Sequence, residues 1–149
     1  MAEREWPSSL LMFALYRAAE DRIFDAVAEA GFGVITRAQG RLLAGIDPGG
    51  TRLVVLADRA RIAKQTAVSL VDRLEAAGIV ERAPDPADGR ARLVRLTPRA
   101  EQALPIARAE EQRIDDEWTQ VIGERRMREL RRSLNDLWVA TPNEADAGR

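Results

Sequence analysis

The chain has 149 residues and a formal net charge of −1, with 46% hydrophobic and 32% charged residues, a balance that suits one globular domain with a real core. It contains no cysteine and no histidine, which excludes a disulfide framework, thiol redox sensing, Cys/His zinc ligation and His-based catalysis. No apolar run approaches the ~18 residues of a membrane span, and the acidic start Met1-Ala2-Glu3-Arg4-Glu5 is unlike a secretory signal, so a cytoplasmic protein is expected.

The charge is segregated. Residues 51–99 hold ten Arg/Lys against six Asp/Glu, a balance of +4, whereas residues 1–50 carry −2 and residues 100–149 carry −3. A basic middle in an acidic frame is what a nucleic-acid contact made by one lobe requires. Lys64 is the sole lysine.

Pro7-Ser8-Ser9 starts a first predicted helix that runs to about Ala30. Leu11, Leu15, Ala18, Ala19, Ile23, Ala26 and Ala30 fall at helical spacing, and Leu10, Phe13, Tyr16, Phe24 and Val27 widen the apolar surface. So much apolar circumference marks a helix central to a core or buried in a subunit interface. Gly31-Phe32-Gly33 ends it, and Thr36-Arg37-Ala38-Gln39 reads as a capping box opening a short helix over 37–45. After the turn Asp47-Pro48-Gly49-Gly50, Thr51 opens a third helix, as its N-cap or as a phosphate contact, with capping the plainer role. Arg61-Ile62-Ala63 is a tight connection. Lys64 to Ala77 then forms a helix closed by Gly78, with Ala67, Leu70, Val71 and Leu74 on one face and Lys64, Gln65, Val68, Ser69, Asp72 and Arg73 on the other.

Ile79–Arg82 and Arg92–Leu96 have strand character. The intervening Ala83-Pro84-Asp85-Pro86-Ala87-Asp88-Gly89-Arg90-Ala91 carries two prolines and a glycine, expected to stop pairing and force a long hairpin tip. Thr97-Pro98 starts a further helix, with Pro105 expected to kink it. After Gly123, Met127, Leu130, Leu134 and Leu137 give a 3-4-3 apolar spacing on a last helix ending near Trp138. A disordered polar tail is expected over 141–149.

Helix, turn, helix and hairpin over 51–96 make a winged helix-turn-helix. The expected fold is mainly α with a small β-hairpin wing, as one domain over 1–149: a winged helix-turn-helix lobe at 36–97 and N- and C-terminal dimerisation helices at 10–30 and 98–138. A helix enters the major groove with its N-terminal side chains at base edges, and a hairpin can place an Arg in the adjacent minor groove. Lys64, Gln65, Thr66 and Ser69 are therefore candidates for base or phosphate contact, and Arg73 for phosphate. Arg90 is the foremost wing contact, Arg92 the second, and Asp88 a brace for the tip. Each has a bland alternative, a solvated helix face or strand surface or, for Arg73, a salt bridge with Asp72 or the neighbours of Glu75, and Val68 suits a thymine methyl or the core equally.

The runs Leu74-Glu75-Ala76-Ala77-Gly78-Ile79-Val80-Glu81-Arg82, Pro84-Asp85-Pro86-Ala87-Asp88-Gly89-Arg90-Ala91 and Leu93-Val94-Arg95-Leu96-Thr97 resemble the MarR family signature, densely over 51–97 and more loosely from about 10 to 138. The most specific elements are Asp88-x-Arg90 and Leu96-Thr97. The resemblance implies a homodimer, with interlocked terminal helices, that binds double-stranded DNA at a palindromic operator. It also implies a small-molecule effector, aromatic or anionic, between the dimer helices and the lobe; Phe13, Tyr16, Arg17 and Trp118 are the candidates to line that site, against a plain reading as core. The sequence departs from the family at Ala63, where Ser or Asp often caps the recognition helix, at Ala100, where Gly is frequent, and at Pro105. No catalytic residue, metal site or cofactor is expected, and Asp115-Asp116-Glu117 faces different ways on one helical turn. The competing reading is a winged-helix protein-interaction module without DNA binding.

Overall fold

The computed structural model describes residues 5–33 and 35–141; the tail expected beyond 141 lies outside the described residues. These residues divide into two compact units, one formed by 5–33 with 105–131, the other by 35–104 with 132–141.

The second unit holds the winged lobe. Its helices are α2 (Arg37–Ala44), α3 (Leu53–Ala60), α4 (Lys64–Ala76) and the single turn α5 (Pro98–Glu101); its strands are β1 (Thr51–Arg52), β2 (Val80–Asp85) and β3 (Asp88–Leu96), in antiparallel order β1-β3-β2. The caps are as the sequence predicts. Thr36 accepts from the Gln39 N–H while the Gln39 side chain accepts from the Thr36 N–H, a complete capping box. Thr97 accepts from the Ala100 N–H and donates to the Gly78 carbonyl at 2.7 Å, tying the exit of α4 to the start of α5. Gly78, at φ 71°, closes α4 in a Schellman turn in which the Ile79 N–H reaches the Leu74 carbonyl. The same pattern closes α3, where Arg61 takes φ 52° and the Ile62 N–H bonds the Ala57 carbonyl.

The lobe core is Leu42, Leu56, Ala57, Ala67, Val71, Leu74, Ile79, Val80, Val94 and Ala100, so all four helices and both wing strands contribute. Truncating one of its fully buried leucines would cost roughly 2–5 kcal/mol. Gly50 lies against β3: a Cβ there would stand 3.0 Å from the Leu93 Cβ and 3.2 Å from the Val94 carbonyl, and its φ of 110° disfavours any side chain.

Three expectations need correction. Thr51 does not open α3 but starts β1 opposite Val94; its hydroxyl is buried, accepts from the Asp47 N–H at 2.8 Å and is unavailable as a helix cap. The prolines do not stop the hairpin. Pro84 pairs with Arg92 and Asp85 with Asp88, because β2 is an edge strand, where a missing N–H is tolerated, and a register shift absorbs the mismatch. Pro105 does not kink a continuous helix. The helix breaks at Gln102-Ala103, and Pro105 falls in the first turn of α6 (Leu104–Ile122), where its lost N–H has no intrahelical partner to forgo.

The first unit is built on α1 (Ser8–Val27), which passes into a π-helical turn, Ala28–Phe32, and on α6; α7 (Glu124–Ala140) follows Gly123, which takes φ 84°. Val27, Ile114 and Met127 are its buried apolar side chains among the described residues. Arg22 of α1 chelates two carboxylates of α6, donating to Glu110 Oε1 from Nε (3.0 Å) and Nη2 (2.7 Å), and to Glu117 from Nη1 (2.6 Å) and Nη2 (2.9 Å). Glu110 is buried and also accepts from Arg113. The Arg22 guanidinium holds the Glu117 carboxyl below its ordinary range.

Candidate nucleic-acid interface

Helix α4 begins after Ala63, an extended cap residue that gives no side-chain bond, as its identity predicts. Its first two turns present Lys64, Gln65, Thr66 and Ser69 to solvent, with Arg73 exposed one turn on and Val68 half-buried. Ala67, Val71 and Leu74 are buried, which fixes the rotation of the helix and hence the direction of the polar face.

The wing narrows to a turn at Pro86-Ala87. Asp85 Oδ1 accepts from the Ala87 N–H at 2.9 Å and Asp88 Oδ1 from the Arg90 N–H at 3.1 Å. Asp88 thus braces the backbone of Arg90, and Arg90 and Arg92 are exposed on β3. The Asp85 carboxyl is held below its ordinary range, first by the Ala87 N–H and then by Arg52. Its contribution to stability is therefore present above the ordinary carboxylate range and lost as pH falls through the depressed value.

Two groups of cations stand out in the lobe. Arg52 is paired with Asp85, Arg59 with Asp47 (2.9 Å), Arg82 with Asp72 (2.7 Å) and Glu75, and Arg95 with Glu81 (2.9 Å). Among the described residues, Lys64, Arg73, Arg90 and Arg92 take no carboxylate partner, and neither do the exposed Arg41 on α2 and Arg61 in the turn before α4. The carboxylates beside Arg73 are both engaged by Arg82, so the expected alternative for Arg73, a salt bridge within α4, does not form. Sequence reading missed Arg82 and Arg52, whose partners lie on other elements. For Arg95, the partner Glu81 sits directly opposite in the ladder and was legible once the register is known.

The candidate effector residues all belong to the first unit. Phe13 and Tyr16 are exposed on α1, Arg17 lies with its guanidinium carbon 5.7 Å from the Phe13 ring centroid, and the Tyr16 hydroxyl donates to Glu20 at 3.1 Å. Trp118 is half-buried on α6. No group of His, Cys, Asp or Glu among the described residues could hold a metal ion, and no described helix is long and apolar enough to cross a membrane.

A helix with a polar N-terminal face, a Schellman-closed turn before it and a two-stranded wing after it, completed by β1, define a winged helix-turn-helix protein. Residues 35–91 match the model of the MarR family. Comparison of the sequence with curated proteins returned no match. Among solved structures, the chain is similar to the transcriptional regulator Tm0710 from Thermotoga maritima, at 25% identity over 97% of this chain and 99% of that one, with a TM-score of 0.63. It is similar to MarR at 26% identity over 91% and 100% of the two chains, TM-score 0.68. A structure of the Multiple Antibiotic Resistance Repressor, MarR, shares the fold at 22% identity over 90% and 96%, TM-score 0.68. The chain thus has the winged-helix fold of these regulators, and its residues 35–91 match the MarR family model.

Proposed function

We propose that the protein is a homodimeric, sequence-specific transcription regulator, acting as a repressor at a palindromic operator. The observation that carries the DNA reading is the sorting of cations: arginines that tie the lobe's elements together are neutralised, while Lys64 and Arg73 on α4 and Arg90 and Arg92 on the wing are left without a carboxylate. An unpaired, exposed cation gains most from a phosphate or a groove, because no intramolecular bond is lost when DNA arrives. Lys64, Gln65, Thr66 and Ser69 then meet the major groove, Arg73 the backbone, and Arg90 and Arg92 the flanking minor groove.

The dimer reading rests on the apolar surface of the terminal helices. Leu10, Leu11, Phe13, Leu15 and Tyr16 on α1, and Leu130, Leu134, Leu137 and Trp138 on α7, are each exposed by 38% or more in the single chain. Such a surface is what a protein–protein interface covers. Two lobes would then engage half-sites about one helical turn, ~34–36 Å, apart. An aromatic or anionic ligand near Phe13, Tyr16, Arg17 and Trp118 relieves repression with a coupling of roughly 1–3 kcal/mol. The name of the repressor relative supports the sign of regulation assigned here.

Fluorescence anisotropy on labelled duplex from the DNA upstream of its own coding sequence tests this. Binding should exceed that to scrambled duplex by about 10³ and fall by about 10–100-fold in Arg90→Ala. Absence of binding to any duplex at low salt would transfer the function to a protein partner.

A further inference from the structure

We propose that Arg52 is a positioning residue for DNA binding: it clasps Asp85 and Asp88 and so fixes the wing tip that presents Arg90. The proposal rests on the DNA-binding reading and assigns a role to a residue outside the contact surface.

The starting observation is a cap that does not cap. Thr36 and Thr97 each bond a helix N–H with a side-chain oxygen, as N-cap residues do. Arg52 occupies the equivalent position before α3 and makes no such bond, having no acceptor to offer. Its guanidinium instead crosses to a site 33 residues away, donating to Asp85 Oδ2 from Nε at 2.8 Å and approaching it from Nη2 at 2.6 Å. Nη2 also lies 3.8 Å from Asp88 Oδ2.

Both carboxylates divide their oxygens in the same way. Oδ2 faces Arg52, while Oδ1 holds a backbone N–H of the turn, that of Ala87 for Asp85 and that of Arg90 for Asp88. One guanidinium therefore links β1, the strand that leads into the helix-turn-helix, to both turns that shape the wing tip. The tip needs such a link. Pro84 pairs with Arg92 but Asp85 pairs with Asp88, so residues 89–91 lie outside the regular ladder. Arg90 thus sits on the stretch where sheet hydrogen bonds do not fix the backbone. Asp85 is 8% exposed, so its end of the bond to Arg52 is largely out of water.

The clasp and a direct Arg52–phosphate contact predict opposite signs at Asp85. By charge alone, Asp85→Asn frees Arg52, removes a negative charge and tightens DNA binding. A clasp that positions Arg90 is broken by the same change, and binding weakens.

The test is anisotropy with the upstream duplex at one salt concentration on wild type, Asp85→Asn, Arg52→Thr, Arg90→Ala and Arg52→Thr/Arg90→Ala. A threonine hydroxyl in place of the guanidinium can cap α3, so the Arg52→Thr variant retains a folded lobe, checked by its melting curve. Arg52→Thr and Asp85→Asn should each weaken binding by about 5–10-fold, and Arg52→Thr should cost nothing more once Arg90 is gone. Unchanged or tighter binding by Asp85→Asn, or multiplicative losses in the double variant, overturns the proposal while wild-type binding upholds the regulator reading. Hydrogen exchange of the unbound protein supplies a readout without DNA. The Ala87 and Arg90 amides should exchange faster in Arg52→Thr, with α4 amides unchanged; equal exchange at the tip overturns the clasp. A wild type that binds no duplex overturns the regulator reading, and with it the assignment of Arg52 to DNA binding.

Discussion

The two units of this chain solve different problems. The winged lobe closes its own core over four helices and a three-stranded sheet, and the chemistry it leaves open on α4 and the wing is cationic. The helical unit buries few apolar side chains, holds the buried Glu110 in the Arg22–Glu110–Glu117 clamp and the buried Glu20 beside Tyr16, and leaves Leu10, Leu11 and Leu15 of α1 in water. Residual surface thus indicates the kind of partner: unpaired cations await an anion, whereas an apolar stripe awaits another apolar stripe.

The largest effect that could break this contrast is on the apolar surface of the terminal helices. Leu134→Asp should weaken self-association by about 4 kcal/mol, roughly a thousandfold in Kd, read by sedimentation equilibrium. An unchanged association constant would take the proposed dimer contact off these helices. On the lobe side, Gly50→Ala should cost about 2–4 kcal/mol in urea unfolding, since it combines an unfavourable φ with a close approach to β3. Arg22→Ala, which leaves the buried Glu110 with Arg113 alone, should cost roughly 1–3 kcal/mol and lower the melting temperature of the helical unit. Ala63→Ser supplies the missing cap of α4 and should raise stability by about 1 kcal/mol, the smallest change of the set.

What the sequence disclosed and what it hid divide along physical lines. Local chemistry was legible: the Thr36 and Thr97 caps, Gly78 in its positive-φ position and the alternating faces of α4 depend on residues within one or two turns. Pro84 and Pro105 misled because proline's effect depends on context. One sits on a sheet edge and the other in a helix's first turn, where its missing donor is harmless. The placement of the candidate contacts Lys64, Gln65, Ser69 and Arg90 on exposed surface followed from periodicity and from the hairpin. The partition of cations did not, because the pairings Arg52–Asp85 and Arg82–Asp72 span separate elements that only the folded lobe brings together.

The central claim is that the unpaired cations of α4 and the wing are the ones that meet DNA, and the salt dependence of binding tests it most directly. Anisotropy titrations across a salt series would compare Lys64→Ala, Arg73→Ala, Arg90→Ala and Arg92→Ala with Arg95→Ala, whose guanidinium is engaged by Glu81. Each of the first four should reduce the slope of log K against log salt by about 1, and Arg95→Ala should leave it unchanged. Equal reductions at paired and unpaired positions, or no reduction at any, would contradict the account.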